Sequence, residues 1–487
     1  MAHRLATGKY LTYLVLVSLA FLVPPTTSWA ASHYVRSGAT GTRSGADWTN
    51  AYTDLPASLV RGDVYYVAAG TYGPHTFNDA ISGTSVITIQ AATIADHGTG
   101  TGWNDAYQGQ ATFSKSIPSG NVWTFNTDYY TVSGVYGCSP TSTCGIKIDK
   151  SNETAMGCGA AKNAIHITSA TGVGHITLQY LEVKGTGNTA PDPNNITDSG
   201  IFSATANHDI YWGHLWVHDQ GGLWLIIDGN SNVTIEHSWF RNNHSTPLCH
   251  AEGIALRSGN ATTGNTNLTI RYNRFENADG TAYIGTPVNL GLSGPTSSNW
   301  YVYGNVFFYN AATSNGQSKA GGVFQIFSIK IAGDFSFYSN TISTLDAGPL
   351  SSGSCNILFT GSATTSVQLL TVRNNVWYGC AGLVFVPGTG ASGLVTQVWD
   401  HNSYYSMPLS GNLSEPSEQS LSGNPFRKVS QSPGADDFRL TGDTSAWTAL
   451  GAPYNIDSDG LIRSSSRGAY QFTPSSRPSS ATNLIVR

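Results

Sequence analysis

Apolar residues recur along this chain in short alternating runs, separated by clusters of Gly, Asn, Ser and Asp. Between Ile201 and Asp279 one unit is written three times. A glycine precedes an apolar residue (Gly200-Ile201, Gly222-Leu223, Gly253-Ile254), a turn follows, and a second run closes on Val217, Phe240 or Phe275. The second runs continue as Trp300 to Phe307, Phe335 to Ile342, Leu370 to Trp377 and Val395 to Tyr404, after earlier ones at Ile176 to Val183 and Ile210 to Val217. The closing residues Phe240, Phe275, Phe307, Ile342 and Trp377 stand 35, 32, 35 and 35 positions apart. A unit of this size cannot bury its apolar face alone and must stack on copies of itself. The pattern predicts an all-β chain, a single-stranded right-handed parallel β-helix with a cap at each end.

Asn273, Asn305, Asn340, Asn375 and Asn402 fall in the same frame, just before or within each closing pair. Stacked at the strand spacing of about 4.8 Å, they predict a ladder of amide hydrogen bonds along the axis that also serves the backbone of a sharp bend.

The rhythm is weaker at both ends. Tyr34-Val35-Arg36 opens a strand, and the spacing of Leu55 and Leu59 after Tyr52 predicts a short helix that covers the exposed first coil. Val64 to Ala68 starts that coil; strand runs follow at Val86 to Gln90, Val122 to Phe125 and Tyr129 to Val135. The polar segments 91–111 and 137–161 interrupt them and read as insertions on one flank. Past Tyr405 only islands of packing residues remain, at Asn424-Pro425-Phe426, Asp437 to Leu440 and Arg467 to Phe472. They predict a terminal segment folded back across the open end. The expected division is a signal peptide at 1–30, an N-terminal cap at 31–63, the β-helix at 64–409 and a C-terminal cap with a loose tail at 410–487.

Composition narrows the setting. Only 11% of the 487 residues are charged and the net charge is -5, with no basic stripe, so nucleic acid is not an expected partner. Arg4 and Lys9 precede the apolar run Leu11 to Val23, and Ser28-Trp29-Ala30 offers a small-residue cleavage site. The mature chain is therefore expected outside the cell or at its surface, without a membrane span and as a monomer. Six cysteines suit that compartment. Cys138 with Cys144 is the expected local closure, and Cys355 with Cys380 is a candidate link between neighbouring coils.

Polar residues gather between the end of one strand and the start of the next. Three positions before Gly222, Gly253 and Gly322 stand Asp219, His250 and Lys319, which stacking would set in a column with Glu252 and Asp279 nearby. Arg257, four residues beyond Gly253, reaches the same groove if its strand ends facing outward.

The opening Tyr34-Val35, Asp47-Trp48, Asn50-Ala51-Tyr52, Arg61-Gly62-Asp63 and Val67 to Tyr72 resembles the start of exported bacterial parallel β-helix proteins of the pectate-lyase-like group. The ending with Asn424-Pro425-Phe426, Asp437 to Leu440, Asp457, Asp459-Gly460, Arg463 and Gly468-Ala469-Tyr470 is similar to the close of that group. The resemblance implies the β-helix and a polysaccharide partner. The group spans polysaccharide lyases, glycoside hydrolases, epimerases and proteins without known activity. Ser328-Ile329-Lys330 lacks the arginine of the polygalacturonase Arg-x-Lys motif.

Of the chemistries this leaves, a lyase on an acidic polysaccharide is the preferred reading. It needs charge stabilisation at a uronic acid carboxyl group and a base for the neighbouring proton. His250 or Lys319 is the candidate base, Arg257 a carboxylate clamp, and Asp219, Glu252 and Asp279 are hard oxygen ligands suited to calcium. No organic cofactor is expected. A glycoside hydrolase would use Asp219 with Glu252, or more weakly Asp228 with Glu236. A noncatalytic glycan-binding or cell-surface protein would instead use rings among Trp212, Trp216, Trp224 and Trp239, some of which must be core.

Overall fold

The computed structural model describes residues 30–115, 120–152, 163–186, 199–243, 252–257, 263–278, 282–286, 296–310, 312–314, 322–326, 330–343, 357–359, 366–379, 385–387, 394–405, 415–428, 436–442 and 447–473. Three strands make one coil. Ser199–Ala204, His208–Gly213 and Trp216–Gln220 are followed one layer on by Leu223–Asp228, Ser231–Glu236 and Trp239–Asn243. Each strand pairs in parallel with its counterpart in the next coil. The result is a right-handed solenoid with three long faces: sheet C, which contains Ser199–Ala204, sheet A, which contains His208–Gly213, and sheet B, which contains Trp216–Gln220.

Strand alternation sends every second side chain inward. The closing residues share one register on sheet B, from Val217 through Phe240, Phe275, Phe307 and Ile342 to Trp377, and all are buried. The rings of Phe240, Phe275 and Phe307 stack at 5.0 and 4.9 Å. Their regular spacing in sequence is thus the length of one coil. Trp212 and Trp224 belong to this core, whereas Trp216 and Trp239 lie on the outer side of sheet B.

Each second run is not one strand but two. Ile176 to Val183 divides into Gly174–Gln179 on sheet A and Leu181–Lys184 on sheet B, with Tyr180 between them at φ 58°. His214, His237, Tyr272, Ser339, Asn374 and His401 take the same left-handed conformation at the same corner. Non-glycine residues pay about 1–2 kcal/mol to adopt it, so the corner requires compensation.

The asparagine ladder supplies it. Asn305 Nδ2 donates to Ile270 O at 2.9 Å and to Asn340 Oδ1 at 3.1 Å, while Asn305 Oδ1 accepts from the backbone N–H and Nδ2 of Asn273. Asn340 and Asn375 repeat this arrangement. At the last rung the Glu415 carboxylate accepts from the Asn402 N–H and from Tyr404 Oη. A second buried set, Asn207, Asn230 and Asn265, braces the corner between sheets C and A.

The N-terminal end differs from expectation. Residues 53–60 hold no helix. Their N–H groups are taken by side chains instead: Asp54 holds Leu55 N, Asp79 holds Leu59 N and the Tyr65 hydroxyl holds Val60 N. Leu55 and Leu59 still pack into the first coils. The C-terminal segment first adds Gln419–Ser420 to the last strand of sheet B, with Arg467 donating to Asn402 O, and also runs along the flank of the solenoid. Gly468 N donates to Asn374 O, Ala469 N to Thr341 Oγ1, and Tyr272 Oη reaches back to Ile456 O. Phe426, Phe438 and Tyr470 cover Val306, Phe308, Val376 and Tyr378 on the outside of sheet B. The Cys138–Cys144 disulfide forms; Cys355 and Cys380 lie outside the described residues. No helix among the described residues is long and apolar enough to cross a membrane.

The left-handed corner carries a titrating feature. The rings of Tyr180, His214, His237 and Tyr272 stack along the axis at 4.5, 5.1 and 5.2 Å. Burial, then the charge of His237, pushes His214 down to about 4, against the opposing pull of Glu236. His237 is also lowered, by burial and by Arg271, with Glu236 opposing. A depressed histidine gives stability that is complete above its unfolded value near 6.5 and is lost as pH falls toward the folded value. The wild-type chain is therefore expected to lose about 2–3 kcal/mol between pH 6.5 and 4 through His214. Denaturant midpoints at pH 7 and 4.5 test this: His214→Gln should flatten that part of the profile, and an unchanged slope would rule the mechanism out.

Candidate active site

Sheet C turns a compact charged group outward. Asp228 and Arg257 end neighbouring strands and face each other in register, and Ala255 and Ile226 pair two positions before them. Glu252 begins the Arg257 strand and is fully buried, as is Asp228 to within 1%. Burial pushes the Arg257 guanidinium down from its ordinary pKa, while Glu252 and Asp228 pull it back. The next coil makes room: a Cβ on Gly285 would lie 2.6 Å from Glu252 Cγ. The face thus carries one largely buried cation that feels two carboxylates electrostatically, with a glycine where a side chain would press on one of them.

Around the corner, the outer side of sheet B carries a continuous polar rail. Lys147 Nζ lies 3.1 Å from Asp149 and 3.2 Å from Glu182, whose other oxygen accepts from Gln110. His218 bridges Glu182 at 3.2 Å through Nε2 and Asp219 at 2.7 Å through Nδ1. Trp216 stacks between His218 and the Arg241 guanidinium, at 4.4 and 4.6 Å. Asn242 then donates to Asp219 Oδ1 and accepts from Asn277, which also reaches Thr313. Thr313 Oγ1 donates to Glu276, which also accepts from Trp239 Nε1.

The carboxylates of the rail differ in character. Burial acts to raise Asp219, but the His218 and Asn242 contacts outweigh it and hold the group below its ordinary value. Glu182 is lowered in the same balance by His218 and Lys147. In Glu276 burial wins over Thr313, Arg241 and Trp239, so its pKa is raised.

Of the residues expected from sequence, Glu252 and Arg257 share the outer face of sheet C. Asp219 belongs to the rail at the adjoining corner. Consecutive residues tie the two together: Asn242 donates to the Asp219 carboxylate and Asn243 to the backbone carbonyl of Glu252. His250, Lys319 and Asp279 lie outside the described residues. Asp228 and Glu236 do not form a pair, because Glu236 is held on sheet A by Tyr211 and Arg271. Sequence reading missed Asp228 as a partner of Arg257, and it missed Glu182, Lys147 and Glu276 altogether. The signal for the latter three was present in the residues flanking each inward-facing closing position.

Asp219 and Glu252 do not belong to a three-donor cluster among the described residues, and both Asp219 oxygens already accept hydrogen bonds. Among the described residues, His175, His208 and Asp209 do form such a cluster, with ligand-type atoms within 4.8 Å of one another.

No protein-family model matches the chain, and no curated protein sequence matches it. Among solved structures it is similar to the pectate lyase Pel9A, at 13% identity and a TM-score of 0.48, over 91% of this chain and 98% of that one. It is similar also to an alginate lyase from Paenibacillus sp. strain FPU-7, at 14% identity and a TM-score of 0.36, over 74% and 92%. A surface protein and adhesin of Streptococcus pneumoniae aligns at 11% identity and a TM-score of 0.33, over 80% and 99%. Likenesses at this level carry no statement about substrate or reaction.

Proposed function

We propose that this chain is an exported polysaccharide lyase that cleaves an acidic polysaccharide on the outer face of sheet C. The observation that carries the reading is the largely buried Arg257 at the end of its strand, opposite Asp228 in register and within the electrostatic influence of Glu252. A guanidinium fork recognises a carboxylate in two-point fashion, and its charge is worth most where water is excluded. Arg257 pairs with the uronate carboxylate and stabilises the negative charge that builds up as the α-proton leaves. His250 or Lys319 takes that proton. The electron pair forms the carbon–carbon double bond, the bond to the bridging oxygen breaks, and the departing oxygen is protonated by the conjugate acid of the base or by water. Glu252 and Asp228 keep the guanidinium charged despite its burial. No step is routed through calcium.

The hydrolase reading on Asp219 and Glu252 has less support, because Asp219 is committed to His218 and Asn242. Mass spectrometry of products decides between the readings. The mature protein, with calcium or with chelator, is incubated with acidic and neutral polysaccharides. Unsaturated oligosaccharides from an acidic polymer are the expected result. Products carrying the mass of water would replace the lyase by a hydrolase, and glycan retention without any product would replace it by a binding protein.

A further inference from the structure

A second external column runs along the corner between sheets C and A, on the first residues of the sheet A strands. Asn299 Nδ2 donates to Asn267 Oδ1, Asn267 to Asn232 and Asn232 to Asp209 Oδ1, at 3.1, 2.9 and 2.9 Å. Every rung points its amide the same way. The column changes character at Asp209, where a carboxylate stands in place of another amide and two imidazoles follow.

The three side chains are set by their neighbours. His208 Nδ1 lies 2.9 Å and His175 Nε2 3.8 Å from the same oxygen, Asp209 Oδ2. Asn232 engages the other oxygen and so fixes the plane of the carboxylate. Tyr129 stacks on the His175 ring at 4.5 Å and 13°. Gly174 leaves the space that the His208 ring fills, since a Cβ there would come within 2.1 Å of it. His208 also borders a surface cavity of about 500 Å³, which gives a fourth position access to solvent.

We infer that His175, His208 and Asp209 form a binding site for a divalent transition-metal ion of the zinc class. Two imidazole nitrogens and one carboxylate are the donors that zinc takes at about 2.0–2.2 Å, with a fourth position left to water or a ligand. Calcium prefers a shell of six to eight oxygens and is a poor match for two imidazoles. The 2.9 Å separation already suits two ligands on one ion, and a small rotation of His175 closes the other. The outer contacts from Asn232 and Tyr129 orient the ligands as supporting groups do in metal sites.

The test uses the full mature chain without a polyhistidine tag, stripped with chelator and titrated with Co2+, Zn2+ and Ca2+. One equivalent of Co2+ is expected to bind with a visible ligand-field spectrum, to be displaced by Zn2+, and to be insensitive to Ca2+. His175→Ala and His208→Ala should each weaken Co2+ binding beyond the roughly 10- to 100-fold cost of an outer-shell change, which Asn232→Ala should show. Asp209→Asn keeps an acceptor for Asn232 and thus preserves the ladder, so it separates ligand loss from misfolding. Calcium binding without Co2+ binding overturns the inference, as does Co2+ affinity unaltered by the histidine and Asp209→Asn variants.

Discussion

Replacing Arg257 by alanine is expected to lower kcat/KM on the acidic substrate by at least about 1,000-fold, the scale on which a preorganised charge in an excluded site contributes. The same change leaves Glu252 and Asp228 without the cation that both feel. Removing one partner from a buried ionic group costs about 3–5 kcal/mol, so loss of fold must be separated from loss of chemistry. Arg257→Lys makes that separation. It keeps the positive charge near the carboxylates but loses the planar fork, and is expected to retain a native melting transition with turnover reduced about 100-fold. Initial rates of unsaturated product formation, read beside melting temperature, supply both quantities. Near-normal turnover in the lysine variant would remove the two-point clamp from the mechanism, and near-normal turnover in the alanine variant would remove Arg257 from it.

Asn305→Ala is the other large expectation, and it concerns stability alone. The substitution removes donations to Ile270 O and Asn340 Oδ1 and strips the acceptor from two groups of Asn273. These atoms lie in a buried column. An orphaned buried polar group costs about 1–3 kcal/mol, and with two donor groups of Asn273 losing this acceptor the loss should reach about 2–6 kcal/mol. Asn305→Asp keeps the acceptor and loses the donor, so it should fall between the alanine variant and the wild type at neutral pH. Urea midpoints measure the series. A loss below about 1 kcal/mol for the alanine variant would mean that water or a neighbouring side chain replaces the rung.

The ladder was legible because inward positions repeat in register: the same residue type returns once per coil wherever the same buried backbone must be served. The split of each second run escaped notice for a related reason. Tyr180, His214, His237 and Tyr272 occupy left-handed corners, and none is an ordinary turn residue. Their fitness for the corner comes from stacking on one another, which only the assembled solenoid reveals.

The site was half legible. Counting back from glycines placed Asp219, Glu252 and Arg257 in neighbouring coils, but not the corner that divides Asp219 from the other two. The outward flanks of sheet B held a clearer message. They run from Lys147 and Asp149 through Glu182 and Lys184, Trp216 and His218, Trp239 and Arg241 to Arg274 and Glu276, and then become apolar at Val306 and Phe308. That switch marks where solvent-facing chemistry stops and the C-terminal segment begins to cover the sheet.

The position of that segment along the flank has a consequence for the order in which the protein matures. A simple solenoid makes contacts only between adjacent coils and can grow as the chain emerges. Here the stretch that shields Val306, Phe308, Val376 and Tyr378 comes last in sequence, and its contacts to Tyr272 and Thr341 close loops of 184 and 128 residues. Until it docks, a finished row of coils still shows a greasy side to its neighbours. The tail is therefore a latch that converts a stack able to fray coil by coil into a unit that opens as a whole, and the nascent molecule is most prone to self-association in the interval before the latch shuts.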